Sequence, residues 1–116
     1  LGALDARGAG VRRSPADAIR LFTRACDGGH LLACSNMGTL YETAAGVTRD
    51  PRRAIDLYHR ACTGGEPRGC FNLGRMYEHG DIGSAPSPTH ALENYERACT
   101  LGYRQACEAR TRVQSQ

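Results

Sequence analysis

The sequence contains no lysine, because all 15 of its basic residues are arginine. This absence excludes a phosphate-binding P-loop, a Schiff-base lysine and the S-x-x-K acylating motif, each of which needs a lysine side chain. Tryptophan is also absent, and aromatic residues make up only 6% of the 116 residues, which is little for a large core. No apolar run of about 18 residues occurs, so we predict no membrane insertion.

Cysteine, by contrast, is abundant, with six residues in a chain of 12.5 kDa. A chain of this length forms one domain, and its 41% of apolar residues supports a modest core. Cysteines in such a small domain commonly stabilise it through disulfides. The sequence starts at Leu1 with no signal segment before it, which indicates a mature product or an excised fragment.

The cysteines also reveal an internal repeat, because they form three equally spaced pairs that are offset by 36 and then 37 residues. Self-similarity at such a period is typical of a solenoid built from stacked repeats. We expect a single solenoid domain over residues 1–116. Its predicted parts are the end of a preceding repeat at 1–14, repeat units at 15–50, 51–86 and 87–112, and a tail at 113–116.

Each unit is predicted to contain two helices, and we find no strand-like alternation, so the predicted fold class is all-α. The first helix of each unit begins after an N-cap oxygen and a proline, at Ser14-Pro15, Asp50-Pro51 and Ser87-Pro88. The second helix has a glycine in its middle, Gly38 or Gly74, at the same phase. Because a mid-helix glycine costs about 1 kcal/mol relative to alanine, its recurrence indicates a close helix–helix approach.

The cysteine pairs allow three interpretations: disulfides, reduced cysteines in the core, or metal ligands or catalytic groups. The C-x7-C spacing is neither that of a zinc knuckle nor that of a redox C-x-x-C motif. We favour disulfides, which indicate an oxidising compartment, periplasmic or secreted. The pairing that treats every repeat alike is Cys26–Cys34, Cys62–Cys70 and Cys99–Cys107.

Nearly the whole chain resembles the Sel-one-like repeats (SLR), relatives of the tetratricopeptide repeat. The resemblance rests on Cys70-Phe71-Asn72-Leu73-Gly74-Arg75-Met76-Tyr77, on Asp50-Pro51-Arg52-Arg53-Ala54 and on the loop Gly46-Val47-Thr48-Arg49-Asp50. The paired cysteines are similar to those of the cysteine-rich, Hcp-type branch, whose members are exported. In the last unit Arg110-Thr111-Arg112-Val113 replaces the Leu-Gly-x-x-Tyr core, so we expect its second helix not to pack as in a full repeat.

The resemblance implies a TPR-like α-solenoid that binds a protein or an extended peptide, with the Leu-Gly-x-x-Tyr helices lining its concave side. It also offers an alternative, because some Hcp-type members are described as penicillin-binding or β-lactamase-like. No S-x-x-K, S-D-N, K-T-G, G-x-S-x-G or H-E-x-x-H motif occurs, and we therefore predict no enzymatic activity. A purely structural spacer within a longer array is a third possibility.

Candidate binding residues flank the apolar stripe of the second helices. An asparagine amide carries both donors and an acceptor, which suits an extended peptide backbone, and Arg75 has the fork geometry to hold a carboxylate. The alternative is that all of these are solvated surface residues. The predicted peptide-binding set is Asn36, Thr39, Thr43, Arg68, Asn72, Arg75 and His79.

We predict no cofactor, no metal and no nucleic acid as partners. The four histidines occupy non-equivalent positions in the repeats and form no ligand spacing. The arginines near the helix starts are interleaved with Asp17, Asp50 and Asp56, and no aromatic residue lies among them to stack on bases. Neither end of the sequence looks like a solenoid cap, so we expect the chain to be part of a longer repeat array.

Overall fold

Three helix–turn–helix pairs make up the computed structural model, which describes residues 15–43, 48–80 and 85–116. No strand occurs within these residues, which confirms the all-α prediction. The described part of the chain is elongated, with principal extents of 49 × 29 × 22 Å. The helices are α1 Pro15–Asp27, α2 Leu31–Thr43, α3 Pro51–Thr63, α4 Pro67–His79, α5 Pro88–Thr100 and α6 Arg104–Gln114.

Side-chain caps fix where the helices begin. An Asp50 carboxylate oxygen accepts a hydrogen bond from the Arg53 amide at 3.2 Å, and the Ser87 hydroxyl accepts one from the His90 amide at 3.4 Å. Both caps were predicted, and each stabilises its helix by about 1 kcal/mol. The third predicted cap, Ser14, lies outside the described residues. Glu66 caps α4 in the same way, which the sequence pattern did not indicate.

The predicted disulfides Cys26–Cys34, Cys62–Cys70 and Cys99–Cys107 are all present, and no cysteine is free. Each bond joins the end of one helix to the start of its partner. The turn between them contains a glycine with a positive φ of 96 to 99°, a conformation that favours glycine. The interpretations as reduced cysteines or metal ligands are therefore wrong.

The mid-helix glycines allow the repeats to approach one another closely, as predicted. A Cβ atom added to Gly38 would lie 2.7 Å from the ring of Tyr58, and one added to Gly74 would lie 2.8 Å from the ring of Tyr95. Both tyrosines are fully buried. Each glycine thus leaves room for an aromatic ring of the following repeat.

The core runs continuously through the stack, because α2 and α4 each pack against both first helices that flank them. α2 contacts α1 and α3, α4 contacts α3 and α5, and α2 and α4 also contact each other directly. Met37 of α2, for example, lies in one buried cluster with Cys26 of α1 and Leu57 of α3.

The last helix packs against α5 although it lacks the Leu-Gly-x-x-Tyr core. α6 buries Ala106, Ala109 and Val113 against α5, and it continues to Gln114, past the unit boundary at 112. The positions equivalent to the Leu-Gly-x-x-Tyr core hold half-buried Arg110 and exposed Thr111 and Gln114, so this core does not pack in α6 as it does in α4.

We expect the disulfides to contribute measurably to stability. Closing a loop with a sequence separation of eight contributes at most about 2.6 kcal/mol in the chain-entropy model. Replacing both Cys62 and Cys70 by alanine should therefore lower the free energy of unfolding by about 2 kcal/mol in urea titrations under oxidising conditions. Unfolding the protein in reductant should raise its intact mass by about six hydrogens, and an unchanged mass would contradict the bonding pattern.

Candidate functional site

The predicted binding residues lie on two neighbouring helices, α2 and α4, whose shared surface we call the α2–α4 face. The two helices are linked there by a hydrogen bond from the Asn72 amide to the hydroxyl of buried Ser35, at 3.4 Å. The face consists of Asn36, Thr39 and Thr43 on α2, and Arg68, Asn72, Arg75 and His79 on α4.

The structure divides these residues into an exposed group and a half-buried pair. Asn72 and Arg75 are half-buried at the contact between the helices, and the other five residues are exposed. Among the exposed residues, the Thr43 hydroxyl donates to the Thr39 carbonyl at 2.8 Å, and the His79 ring lies 2.9 Å from the Arg75 carbonyl. The Arg68 guanidinium lies 3.9 Å from a carboxylate oxygen of Glu66, which is a loose ion pair.

Arg75 already holds a carboxylate, and that carboxylate belongs to the same chain. Its two terminal nitrogens each donate to one oxygen of Glu42 at 2.7 Å, in a bidentate pair. The Glu42 side chain is only 10% exposed, so much of this pair is shielded from water. One of the same nitrogens also donates to the Asn72 side-chain oxygen at 3.4 Å. The predicted use of Arg75 for a ligand carboxylate therefore has a competitor in the folded chain.

A tyrosine completes this interaction. The hydroxyl of Tyr58 donates to Glu42 at 2.7 Å and lies 3.1 Å from the Thr39 hydroxyl. Tyr58 lies on α3, so the three side chains of Glu42, Tyr58 and Arg75 join three consecutive helices. We call such a group a junction triad.

A second junction triad joins the next three helices. The hydroxyl of Tyr95 on α5 donates to Glu78 on α4 at 2.7 Å, and Arg112 on α6 binds both oxygens of the same carboxylate. The roles of Glu42, Glu78 and Arg112 were not predicted from the sequence. A signal was present, because Glu42, Tyr58 and Arg75 recur as Glu78, Tyr95 and Arg112 after 36 or 37 residues.

The triads shift the pKa values of their members. Hydrogen bonds from Arg112 lower the pKa of the Glu78 carboxyl to about 2, although burial acts in the opposite direction. Burial raises the pKa of Glu42, but the hydrogen bonds from Arg75 and Tyr58 outweigh it and the net pKa is lowered. Burial and the neighbouring carboxylate raise the pKa of Tyr95 far above its usual value. All members thus keep their ordinary charge states near neutral pH.

A separate cleft of about 400 Å³ opens between α1 and α3, and we call it the α1–α3 cleft. Met37 and Leu57 form its apolar part, and none of the predicted binding residues lines it. Its remaining lining residues are polar or aromatic: Thr23, Asp27, Tyr41, Arg53, Asp56 and Arg60. Within it the Arg53 guanidinium lies over the Tyr41 ring, 5.2 Å from its centre.

Neither a metal centre nor a membrane-spanning helix is found in the described ranges. No three histidine, cysteine or carboxylate side chains come together as metal ligands within residues 15–43, 48–80 and 85–116. Across those same ranges, no helix has the length and apolar character needed to cross a membrane.

The repeat architecture corresponds to a known family. The family model of the Sel1 repeat matches three consecutive segments, residues 1–30, 31–66 and 67–103. The chain belongs to the Sel1 repeat family. The second and third segments begin at the first residues of α2 and α4. Each of these Sel1 repeats therefore starts with a helix of the α2–α4 face.

Solved structures of Sel1 repeat proteins are similar to this one. A Sel1 repeat protein from Oxalobacter formigenes is 31% identical, with a TM-score of 0.77 over 90% of this chain and 42% of that one. Cysteine-rich protein B of Helicobacter pylori is 28% identical, with a TM-score of 0.71 over 78% of this chain and 68% of that one.

A third structure shares the fold alone. It is a protective antigen of uropathogenic Escherichia coli with an SLR fold, 21% identical, with a TM-score of 0.83 over 97% of this chain and 24% of that one. This chain thus spans less than half of the Oxalobacter and Escherichia proteins. No curated protein matches the sequence.

The lowered pKa of Glu78 predicts how stability depends on pH. The folded chain binds this proton less tightly than the unfolded chain, whose carboxyl titrates near the usual 4.5. The triad therefore stabilises the fold fully above pH 4.5, and its contribution is lost as the pH falls toward about 2. In Glu78→Gln, we expect the free energy of unfolding to be lower at pH 7 and to fall less steeply over that acidic range.

The measurement is urea unfolding followed by circular dichroism at several pH values. Glu93→Gln serves as the control, because Glu93 is exposed on α5 and should leave the acidic slope unchanged. Parallel pH profiles for Glu78→Gln and the wild type would show that the triad carboxylate does not stabilise the fold.

Proposed function

We propose that this Sel1 repeat chain is an exported scaffold that binds a protein or an extended peptide on its α2–α4 face and catalyses no reaction. The observation that carries the proposal is the row of exposed polar groups on two helices that touch each other. Asn36, Thr39 and Thr43 supply amide and hydroxyl groups, and Arg68 and His79 extend the row along α4. Such groups can pair with both the N–H and the C=O of a peptide backbone.

The half-buried pair has a supporting role in this proposal. Asn72 and Arg75 keep their proposed places in the site, but their contacts with Ser35 and Glu42 hold them at the floor of the face. A guanidinium has five N–H donors, and three of those of Arg75 serve Glu42 and Asn72. Neither Glu42 nor Asn72 uses the remaining two donors, which we propose for a peptide carbonyl.

Rigidity favours binding by this face. A disulfide joins the two helices of each repeat, and the triads join the repeats to one another. A preorganised surface loses little conformational entropy when a ligand binds, so a few hydrogen bonds per repeat can add up to useful affinity. Rigidity therefore favours a binding surface that is shared by several repeats of a longer array.

The disulfides support the proposed location. Three structural disulfides persist in oxidising compartments and are rare in the reducing cytosol. The cysteine-rich Helicobacter protein is similar over most of this chain. Both observations support the proposal that the chain is exported to the periplasm or secreted.

We propose that the chain catalyses no reaction. The alternative is a penicillin-binding or β-lactamase-like activity. The sequence has no lysine for an S-x-x-K, K-T-G or related acylation site. We expect the purified, oxidised chain to leave the chromogenic β-lactam nitrocefin intact at micromolar protein concentration. Hydrolysis that persists in Cys62→Ala/Cys70→Ala, and so does not depend on that disulfide, would establish the enzymatic alternative.

The binding proposal is tested by selecting peptides from a displayed random library on the oxidised wild-type chain and measuring their affinity by calorimetry. Asn36→Ala should weaken a selected peptide roughly five- to tenfold, because one net hydrogen bond contributes about 1 kcal/mol. Asn36 is exposed, so the change leaves the core intact.

Asp56→Ala is the matched control, because Asp56 is exposed and lines the α1–α3 cleft instead. We expect it to bind the selected peptides with wild-type affinity. If Asp56→Ala weakens binding and Asn36→Ala does not, the peptide binds in the α1–α3 cleft and the proposed site is wrong.

A further inference from the structure

α4 and α6 occupy equivalent places in successive repeats, but they differ at the positions where α4 contacts the repeat that follows it. α4 carries α5 and α6 on its outer side, whereas α6 is the last helix described. The two helices align with an offset of 37 residues, which pairs Cys70 with Cys107 and Arg75 with Arg112. The contacts that α4 makes with its following repeat can therefore be compared, position by position, with the residues of α6.

Two of these contacts are aromatic. Phe71 packs between Tyr95 and Tyr103 of the following repeat, with ring centres 5.7 and 5.2 Å apart, and the equivalent residue of α6 is exposed Glu108. Tyr77 stacks on His90 of the following repeat with ring centres 5.0 Å apart.

The residue of α6 equivalent to Tyr77 is exposed Gln114. Both aromatic contacts are therefore replaced by polar side chains that favour water. A repeat placed on α6 would lose these ring contacts and would have to desolvate a carboxylate at position 108.

The third contact is steric. Gly74 leaves room for the Tyr95 ring, and an added Cβ would already lie 2.8 Å from that ring. The equivalent residue of α6 is Thr111, whose hydroxyl donates to the Cys107 carbonyl at 3.1 Å. A β-branched side chain thus occupies the space that a following tyrosine ring would need.

The fourth contact is the junction triad. Glu78 accepts hydrogen bonds from Tyr95 and Arg112 of the following repeat, and the equivalent residue is Ser115, directly after the end of α6. The Ser115 hydroxyl donates back to the Thr111 and Arg112 carbonyls at 3.0 Å each. A tyrosine of a following repeat would therefore be buried with no carboxylate to accept its hydroxyl proton, which is costly in a dry interface.

We propose that α6 is the C-terminal cap of the solenoid, and that its outer surface does not accept a further Sel1 repeat. All four positions with which α4 receives a repeat are changed together in α6, and each change removes a contact or adds a clash. A terminal repeat with a polar outer face is what keeps a solenoid from exposing its core. A longer array would then extend from the α1 side, which revises the expectation that both ends lack a cap.

The test adds a repeat to the full chain at two places. In the first variant a copy of residues 80–116 follows Gln116, which sets a new helix pair after α6 in the register that α5 has after α4. In the second variant a copy of residues 44–79 follows His79, so the copied α4 meets α5 through the native junction and the copied α3 packs on the original α4 as it does on α2. Thermal unfolding and limited proteolysis with mass spectrometry measure whether each added pair docks.

We expect the internal copy to raise the unfolding midpoint by about 5 °C or more and to resist protease, because it adds one complete interface. The appended copy should leave the midpoint within about 1 °C of the wild type and be cleaved first. An appended copy that is protected as well as the internal one would overturn the proposal.

A matched variant tests whether the four positions are the cause. In the appended chain, Glu108→Phe, Thr111→Gly, Gln114→Tyr and Ser115→Glu give the first α6 the receiving residues of α4. The appended pair should then become protected and the midpoint should rise. If protease still cleaves the appended pair in a folded variant, these four positions are not what prevents a further repeat from packing on α6. If the variant fails to fold, the comparison of the appended and internal copies in the unaltered α6 background still decides the question.

Discussion

Stacking in this protein depends on a tyrosine ring that enters the space above a glycine of the preceding repeat. Gly38 receives Tyr58 and Gly74 receives Tyr95, and any side chain larger than hydrogen at either glycine would overlap the ring. Once the ring is buried its hydroxyl needs an acceptor, which Glu42 or Glu78 provides. That carboxylate is itself shielded from water and needs a counter-charge, which an arginine of the following repeat supplies. The aromatic, polar and ionic parts of the interface thus follow from one close approach.

The contacts between repeats also affect the candidate binding face. Arg75 belongs both to the first junction triad and to the surface where we propose that a peptide binds. Its carboxylate partner fixes the guanidinium and thereby the spacing of α2 and α4, so the exposed groups around it keep a constant separation. Binding and stacking are then coupled through the same side chain. The disulfides act on a shorter range, because each one joins only the two helices of its own repeat.

Much of the fold could be predicted from sequence because its signals are local or periodic. The caps at Asp50 and Ser87, the cysteine pairing and the glycine approach all depend on residues a few positions apart or on one repeated phase. The triads were missed because Glu42 and Arg75 are 33 residues apart and lie on different helices. Periodicity places each of them on a helix surface, but it does not tell which of several opposite charges it meets. The absence of the Leu-Gly-x-x-Tyr core from α6 could be read from the sequence, but the burial of Ala109 and Val113 against α5 became clear only from the structure.

The sequence by itself determined the helix pairs, their starts and turns, the disulfides and the membership of a repeat solenoid, because a period of 36 or 37 residues leaves few other ways to bury the apolar stripe. Only the tertiary structure decided which polar residues of that solenoid are available to a partner. Asn36 and Arg75 both flank the apolar stripe of their helices, yet one is exposed and the other is bound to Glu42. The difference arises from contacts between repeats, which depend on how helices distant in sequence come to lie side by side.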